Sequence, residues 1–311
     1  MKKLRCAVIG VGYLGRFHAQ KYAALNEAEL VAVVDANLDQ AQTVAAEVGC
    51  PAFANYHDLV GKVDAVSIVT PTKLHYQVAE FCLEHGIHTL IEKPITTTVA
   101  EAEALISLAK ARNVLIQVGH LERFNSAVLA LSDILHEPKF IESHRIAPFT
   151  LRGADVNVVL DLMIHDIDLI SYLVGAPIAS IAANGAPILS HEIDIANARI
   201  EFTNGAVANV TASRAGTKKE RMMRIFQEDA YLSVNLQDKS CSVYRKGEGE
   251  MYPGIPDIKM QTLEFPEGDA IMAEISAFIQ AIQTGSPSPV SGEAGKNALA
   301  IAEQITAAVG V

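Results

Sequence analysis

Continuous apolar runs recur through the first third of the chain, at residues 4–9, 30–34, 64–69, 89–91 and 114–119. They do not alternate with polar residues, which is the pattern of strands buried on both faces of a parallel sheet. Between them, residues 14–25, 38–48, 75–85 and 99–112 carry apolar side chains at helical spacing. Regular alternation of this kind predicts a doubly wound α/β sheet. After Gly119 the pattern changes, and residues 178–265 read as short β runs at 193–202, 206–213, 223–227, 231–235 and 242–244. Asn204-Gly205 is a hairpin signal between the first two, so these strands are expected to be mostly antiparallel and to form their own sheet. A helix leading into the second domain is expected to run to Leu135. Residues 243–256 read as a mobile loop or the end of a hairpin. Two apolar-faced helices, 270–283 and 293–308, close the chain on either side of the linker TGSPSPVSG.

The first strand runs directly into Gly10-Val11-Gly12-Tyr13-Leu14-Gly15. Gly10 permits a tight turn, Gly12 lets backbone approach a pyrophosphate, and Gly15 allows helix and strand to pack closely. The helix that follows would direct its N-terminal amides at the phosphates, with Tyr13 and Leu14 in its first turn. The second strand ends at Asp35, about 20 residues after Gly15, where an acid binds the adenosine ribose and repels a 2′-phosphate. NAD is therefore expected over NADP. Thr70-Pro71-Thr72 and Glu92-Lys93-Pro94 follow later strands and fall at the same ligand-binding edge, where Pro94 must stop its strand, with or without a cis bond. His75, early in the next helix, reads either as a cofactor or helix-terminus contact or as a surface histidine. The expected architecture is an N-terminal Rossmann domain, residues 1–120, and a C-terminal α+β domain, residues 121–311, built on a large open sheet. The closing helices are free to pack back on the first domain.

Residues 158–174, VVLDLMIHDIDLISYLV, stand apart. At about 100° per residue, Asp161, His165, Asp168 and Tyr172 share one stripe of a helix whose remaining surface is apolar. No Lys, Arg, Glu or Gln occurs from Gly153 to Val174, so the stripe is expected to line a cleft. A carboxylate four residues from a histidine can hold one ring nitrogen and leave the other to exchange a proton. That pair reads either as a general base with its orienting acid or as a satisfied core histidine.

Composition narrows the field. A formal charge of −11 over 311 residues argues against a general nucleic-acid binder, which needs a broad basic surface. Cys6, Cys50, Cys82 and Cys241 are scattered, with no Cys/His cluster at metal-ligand spacing, so no metal is expected. The apolar run in MKKLRCAVIGVG is short and glycine-rich, and no run reaches the length of a membrane span. A reduced, cytoplasmic chain is the expectation. Arg214, Lys218, Lys219, Arg221 and Arg224 crowd one connection and read as a solvated turn rather than a nucleotide-facing loop.

GVGYLG after the first strand, TPTKLH at 70–75, EKP at 92–94 and the D-x-x-x-H of Asp161 and His165 together resemble the glucose-fructose oxidoreductase, inositol dehydrogenase and MocA (Gfo/Idh/MocA) family. The resemblance runs along nearly the whole chain, although Asn157-Val158-Val159 and Met163 stand where members often carry glycine. It implies oxidation of a sugar or polyol hydroxyl by a nicotinamide cofactor, with Lys93, Asp161 and His165 as the catalytic set. GHLERFN, ESHRIAPF and DLMIHDIDLI are further similar to a branch of that family that oxidises the 3-hydroxyl of UDP-N-acetylglucosamine to a keto sugar. On that reading Arg123, Asn125, Arg145 and Arg152, with His165, would meet the substrate, because guanidinium grips phosphate in bidentate fashion. Structural ion pairs explain the same arginines. Three rivals stay open: a free-polyol or monosaccharide dehydrogenase, an enzyme that uses NAD transiently for elimination, and a non-catalytic nicotinamide-binding module. A homodimer or homotetramer is expected if the second domain leaves a sheet face bare.

Overall fold

A computed structural model of the chain describes residues 3–150, 156–265 and 267–310. It divides into two compact units, the first comprising residues up to Leu121 with Ala270–Leu299, the second Glu122–Asp269 with the residues from Ala300.

In the first unit, β1 (Leu4–Ile9), α1 (Tyr13–Ala24), β2 (Ala28–Val34), α2 (Leu38–Val48), β3 (Ala52–Phe53), β4 (Ala65–Ile68), α3 (His75–Glu84), β5 (His88–Glu92), α4 (Val99–Arg112) and β6 (Ile116–Gly119) alternate as expected. The six strands are all parallel, in the order β3-β2-β1-β4-β5-β6. Chain order reverses between β1 and β4, and ligands bind at the carboxyl ends of strands beside such a switch. Helix boundaries follow local chemistry. Asn37 accepts hydrogen bonds from the Asp39 and Gln40 amides at the start of α2, and Thr98 with Glu101 forms a capping box on α4.

Much later in sequence, α7 (Ala270–Thr284) joins this unit. Its Ile275, Phe278 and Ile279 are buried in one cluster with Val8 and Val11, Tyr22 of α1 and Leu90 of β5. The segment after it covers the open edge of β6: the Val118 amide donates to the Val290 carbonyl, and Gln117 pairs antiparallel with Ser291. The last helix, α8 (Gly292–Val309), belongs to this unit up to Leu299.

Short turns stand in place of the expected long helix: a 3-10 turn at Leu121–Phe124, whose first residue ends the first unit's initial segment, then in the second unit α5 (Ser126–Leu129) and another 3-10 turn at Ala130–Asp133. Asn125 breaks the helix. Its backbone is extended and its side chain accepts from the Ala127 amide, so it starts a new helix instead of continuing one. Next come β7 (Phe140–Ile146), α6 (Ile164–Val174), β8 (Ile178–Ala186), β9 (Ile195–Phe202), β10 (Val207–Ser213), β11 (Glu220–Phe226), β12 (Ala230–Asn235), β13 (Ser240–Tyr252) and β14 (Ile255–Glu264). The eight strands lie in the order β14-β13-β12-β11-β7-β10-β9-β8, antiparallel except where β10 runs parallel to β7. Residues 243–256 belong to the long β13/β14 hairpin. Burial alternates strictly along β9, the mark of a sheet with one packed and one open face.

Arg214 leaves the basic cluster expected in a solvated turn. It is 4% exposed and donates to Asp194, the Val156 carbonyl and Ser190. Burial works against the Asp194 carboxylate, but Arg214 and the amides of Leu189, Ser190 and Ile188 outweigh it and hold the group well below the usual carboxylate range. The loop between β8 and β9 is thus wound around one buried charge pair.

Candidate active site

In the first unit the glycine-rich turn separates two packed glycines from one open one. Gly10 has φ +86°, and a Cβ there would lie 2.6 Å from the Val69 carbonyl oxygen; at Gly15 it would lie 1.8 Å from that of Gly10. At Gly12 a Cβ would meet nothing within 4 Å. Gly12 is also the N-cap of α1, without a side-chain cap and without an acid in the first turn, so the helix itself places no carboxylate at its N-terminal amides. Tyr13 is 73% exposed, its ring edge-on to Phe17. These residues fit a dinucleotide: a pyrophosphate would take the space above Gly12.

Asp35 closes β2 and braces the same turn. Its Oδ2 accepts from the Val11 amide at 2.9 Å and its Oδ1 from the Asn37 amide at 2.9 Å, while Gln40 Nε2 donates to the Val11 carbonyl at 2.9 Å. Both polar groups of Val11 are therefore held by side chains. Gln40 was invisible in the sequence, because one polar residue in a polar helix turn carries no signal.

His75 is 1% exposed, so the surface reading of it is corrected. Its Nδ1 faces the Pro94 carbonyl and its Nε2 the Thr70 carbonyl, each at 2.9 Å. Burial pulls its pKa down, opposed by those two carbonyls. In the neutral ring one nitrogen donates, and the side chain ties the loop after β4 to the loop after β5. The Lys93-Pro94 bond is cis. Lys93 and Glu92 are half-buried at the end of β5, and the Lys93 amide donates to Glu92 Oε2 at 3.3 Å.

In the second unit Asp161 and His165 lie one turn apart, both half-buried. The helix carrying them is not uniform. Val159–Met163 is a π turn and the α-helix begins at Ile164, so the constant α-helical step does not extend from Asp161 to His165. Asn157 starts the segment, its side chain accepting from the Leu160 amide. Further along, Arg123 spans one turn of α6. Its Nε and Nη2 donate to the two carboxylate oxygens of Asp168 at 2.7 and 2.6 Å, and its guanidinium lies 4.6 Å from the centre of the Tyr172 ring. Asp168 is 2% exposed.

Arg145 and Asn125, expected at the substrate, are enclosed instead. Arg145 is 3% exposed; Nε and Nη2 donate to Asp166 and Nη1 to Glu122. Asn125 Nδ2 donates to Glu122 and to the Leu236 carbonyl. A guanidinium with three directed bonds to buried carboxylates has no fork left for a phosphate. Arg152 lies outside the described residues.

Comparison with known proteins agrees with this architecture. Residues 4–120 match the NAD-binding Rossmann fold of the oxidoreductase family Gfo/Idh/MocA, and residues 153–310 match its C-terminal alpha/beta domain. The chain belongs to this family of oxidoreductases. It is 43% identical over 310 residues to UDP-N-acetylglucosamine 3-dehydrogenase of Acidithiobacillus ferrooxidans, covering 99% of this chain and 98% of that protein. A solved structure of that enzyme superposes with a TM-score of 0.94 at 42% identity, covering 99% and 98% of the two chains. The scyllo-inositol 2-dehydrogenase (NAD(+)) of Bacillus subtilis is 28% identical over 304 residues, covering 91% of this chain and 87% of that protein. Among the described residues, no helix is long and apolar enough to cross a membrane.

Proposed function

We propose that this chain is an NAD-dependent dehydrogenase of a UDP-linked N-acetylhexosamine, oxidising its 3-hydroxyl to a ketone. The identity of 43% along the whole chain to an enzyme named for that reaction supports it best, against 32% or less for the inositol 2-dehydrogenases that match over most of the chain. Bound NAD supplies the hydride acceptor. Gly12 and the first amides of α1 would hold the pyrophosphate and Asp35 the adenosine ribose, an acid that would disfavour a 2′-phosphate. The ammonium of Lys93 polarises the substrate oxygen and stabilises its developing negative charge. His165 takes the hydroxyl proton, and Asp161 favours the imidazolium that results. Arg152 remains the proposed phosphate contact; Arg123, engaged by Asp168, is proposed to shape the site through Tyr172.

A panel of UDP-sugars, free sugars and inositols, offered with NAD and with NADP, tests the reading by cofactor absorbance. UDP-N-acetylglucosamine or a close epimer with NAD should give the highest kcat/KM. A free inositol as best substrate would replace this reading with the polyol one. Product without net NADH would indicate elimination, and tight NAD binding without turnover a binding module.

We further propose that the chain assembles as a homo-oligomer through the open face of its large sheet. Phe140, Phe226, Tyr231 and Tyr244 form a ladder of rings across β7, β11, β12 and β13, with centroids 5.8, 4.8 and 5.1 Å apart. Ile258 and Met260 on β14 are 62% and 59% exposed. Apolar area of this kind is normally covered. Light scattering should return a multiple of the 33.3 kDa chain mass, and a monomer at micromolar concentration would refute the assembly.

A further inference from the structure

Beneath the Glu92-Lys93-Pro94 turn lies a buried polar cluster that the proposed chemistry does not use. Glu274 of α7 and His18 of α1 are both 0% exposed, and Glu92 comes in from the end of β5. One ligating atom from each of the three lies within 4.8 Å of the others. His18 Nε2 is 3.2 Å from Glu92 Oε1. On its other side His18 Nδ1 meets Ser67 Oγ of β4 at 3.2 Å, and Ser67 Oγ meets the Tyr22 hydroxyl at 2.9 Å. On β6, Gly119 leaves room for the Glu92 carboxylate, since a Cβ there would lie 2.9 Å from Glu92 Cδ. Among the described residues, neither carboxyl oxygen of Glu274 has a hydrogen-bond partner.

Two facing carboxylates in a water-poor site cannot both stay ionised without a compensating charge. Burial and the charge of Glu92 both push the Glu274 carboxyl well above its ordinary value. Among the described residues, His18 lies beside Glu92, Tyr22 on α1 feels both Glu274 and Cys6, His75 feels Glu92, and Lys93 follows Glu92 in the chain. Burial also keeps Tyr22 and Cys6 in their neutral forms. We propose that Glu274 is a positioning residue that carries a proton in the folded enzyme and donates it, directly or through one water, to Glu92. Held between Glu274 and His18, Glu92 fixes the turn that presents Lys93, whose own amide it accepts. The positioning role rests on Lys93 being catalytic; the proton on Glu274 does not.

Infrared difference spectra of wild type against Glu274→Gln, at about pH 8 and so far above any ordinary carboxyl value, test the proton. Wild type should show the carbonyl stretch of a protonated carboxyl, absent from the variant. Elemental analysis of protein purified without chelators accompanies it. A missing band with a stoichiometric divalent metal would make His18, Glu92 and Glu274 a cation site, and a missing band without metal would mean that both acids are ionised; either result overturns the proposal. For the positioning role, Glu274→Gln keeps a neutral donor and should retain kcat, whereas Glu274→Ala should lower kcat by about 10- to 100-fold with cofactor Kd unchanged, the scale of a displaced catalytic group. Equal kcat in both variants, or a parallel loss of cofactor binding, would refute positioning. If Lys93→Ala stays active while the band is present, it is the catalytic assignment of Lys93 that fails, not the proton.

Discussion

Lys93→Ala and His165→Ala should each lower kcat/KM for the best UDP-sugar by about a hundredfold or more, the contribution of one placed acid-base or oxyanion-stabilising group. Cofactor affinity should change little, because the groups that fit the dinucleotide are Gly12, the α1 amides and Asp35, set by β1, α1 and β2. Steady-state kinetics with NAD titration by fluorescence separates the two quantities. Asp161→Asn should fall between wild type and His165→Ala, since the amide can still orient a ring but no longer stabilises its positive charge. The double variant of Lys93 and His165 should be less impaired than the product of the single losses, as groups acting on one proton transfer are not additive. Full turnover in either single variant would remove that residue from the mechanism.

Arg145→Met should destabilise the second unit by about 3–5 kcal/mol, the cost of leaving a buried charge without its partner. Glu122 is 8% exposed and Asp166 1%, and Arg145 is their shared counter-ion. Arg221 is a weak substitute for it, half-exposed and 3.6 Å from Glu122. Burial disfavours the Glu122 carboxylate, but Arg145 overcomes this and leaves its pKa below the ordinary value. The sign follows: a carboxylate with a lowered folded pKa contributes stability above its unfolded value and loses it as the pH falls through the carboxylate range. Urea denaturation at neutral pH should therefore show a large gap between wild type and variant, and the gap should narrow in acid. Arg145→Lys should recover only part of it, because an ammonium lacks the planar fork that serves two carboxylates at once. If Arg145 instead gripped a substrate phosphate, the Met variant would unfold like wild type and show only a raised KM for the UDP-sugar.

The parallel domain was legible because its strands are buried on both faces, which leaves continuous runs such as Cys6 to Ile9 and Ala65 to Ile68. Its glycine turn was legible in part for a local reason: Gly15 answers to the Gly10 carbonyl in the same turn, whereas the constraint on Gly10 comes from the Val69 carbonyl after another strand. The sheet of the second unit was only half visible. Strand β7 sits between β10 and β11 in the middle of that sheet, yet its buried positions are Ile141, Ser143 and Arg145, and no hydrophobic alternation survives in ESHR. Its inward charge is tolerated because Glu122 and Asp166, about 20 residues away on either side, meet it there. The long hairpin of β13 and β14 was hidden by the opposite cause: much of it is exposed, so its composition resembles a loop.

By itself the sequence determined the local grammar of this protein: a glycine turn between strand and helix, an acid at the end of the second strand, a lysine before a proline, and an acid four residues before a histidine. Each is written in adjacent residues, because backbone geometry acts over short stretches of chain. Only the tertiary structure decided which charges work for the fold. Arg145, Arg214, Asp194 and Glu274 are typed as polar in any sequence reading, and only a three-dimensional neighbour decides whether a buried charge is paired, neutralised by a proton or left at a cost.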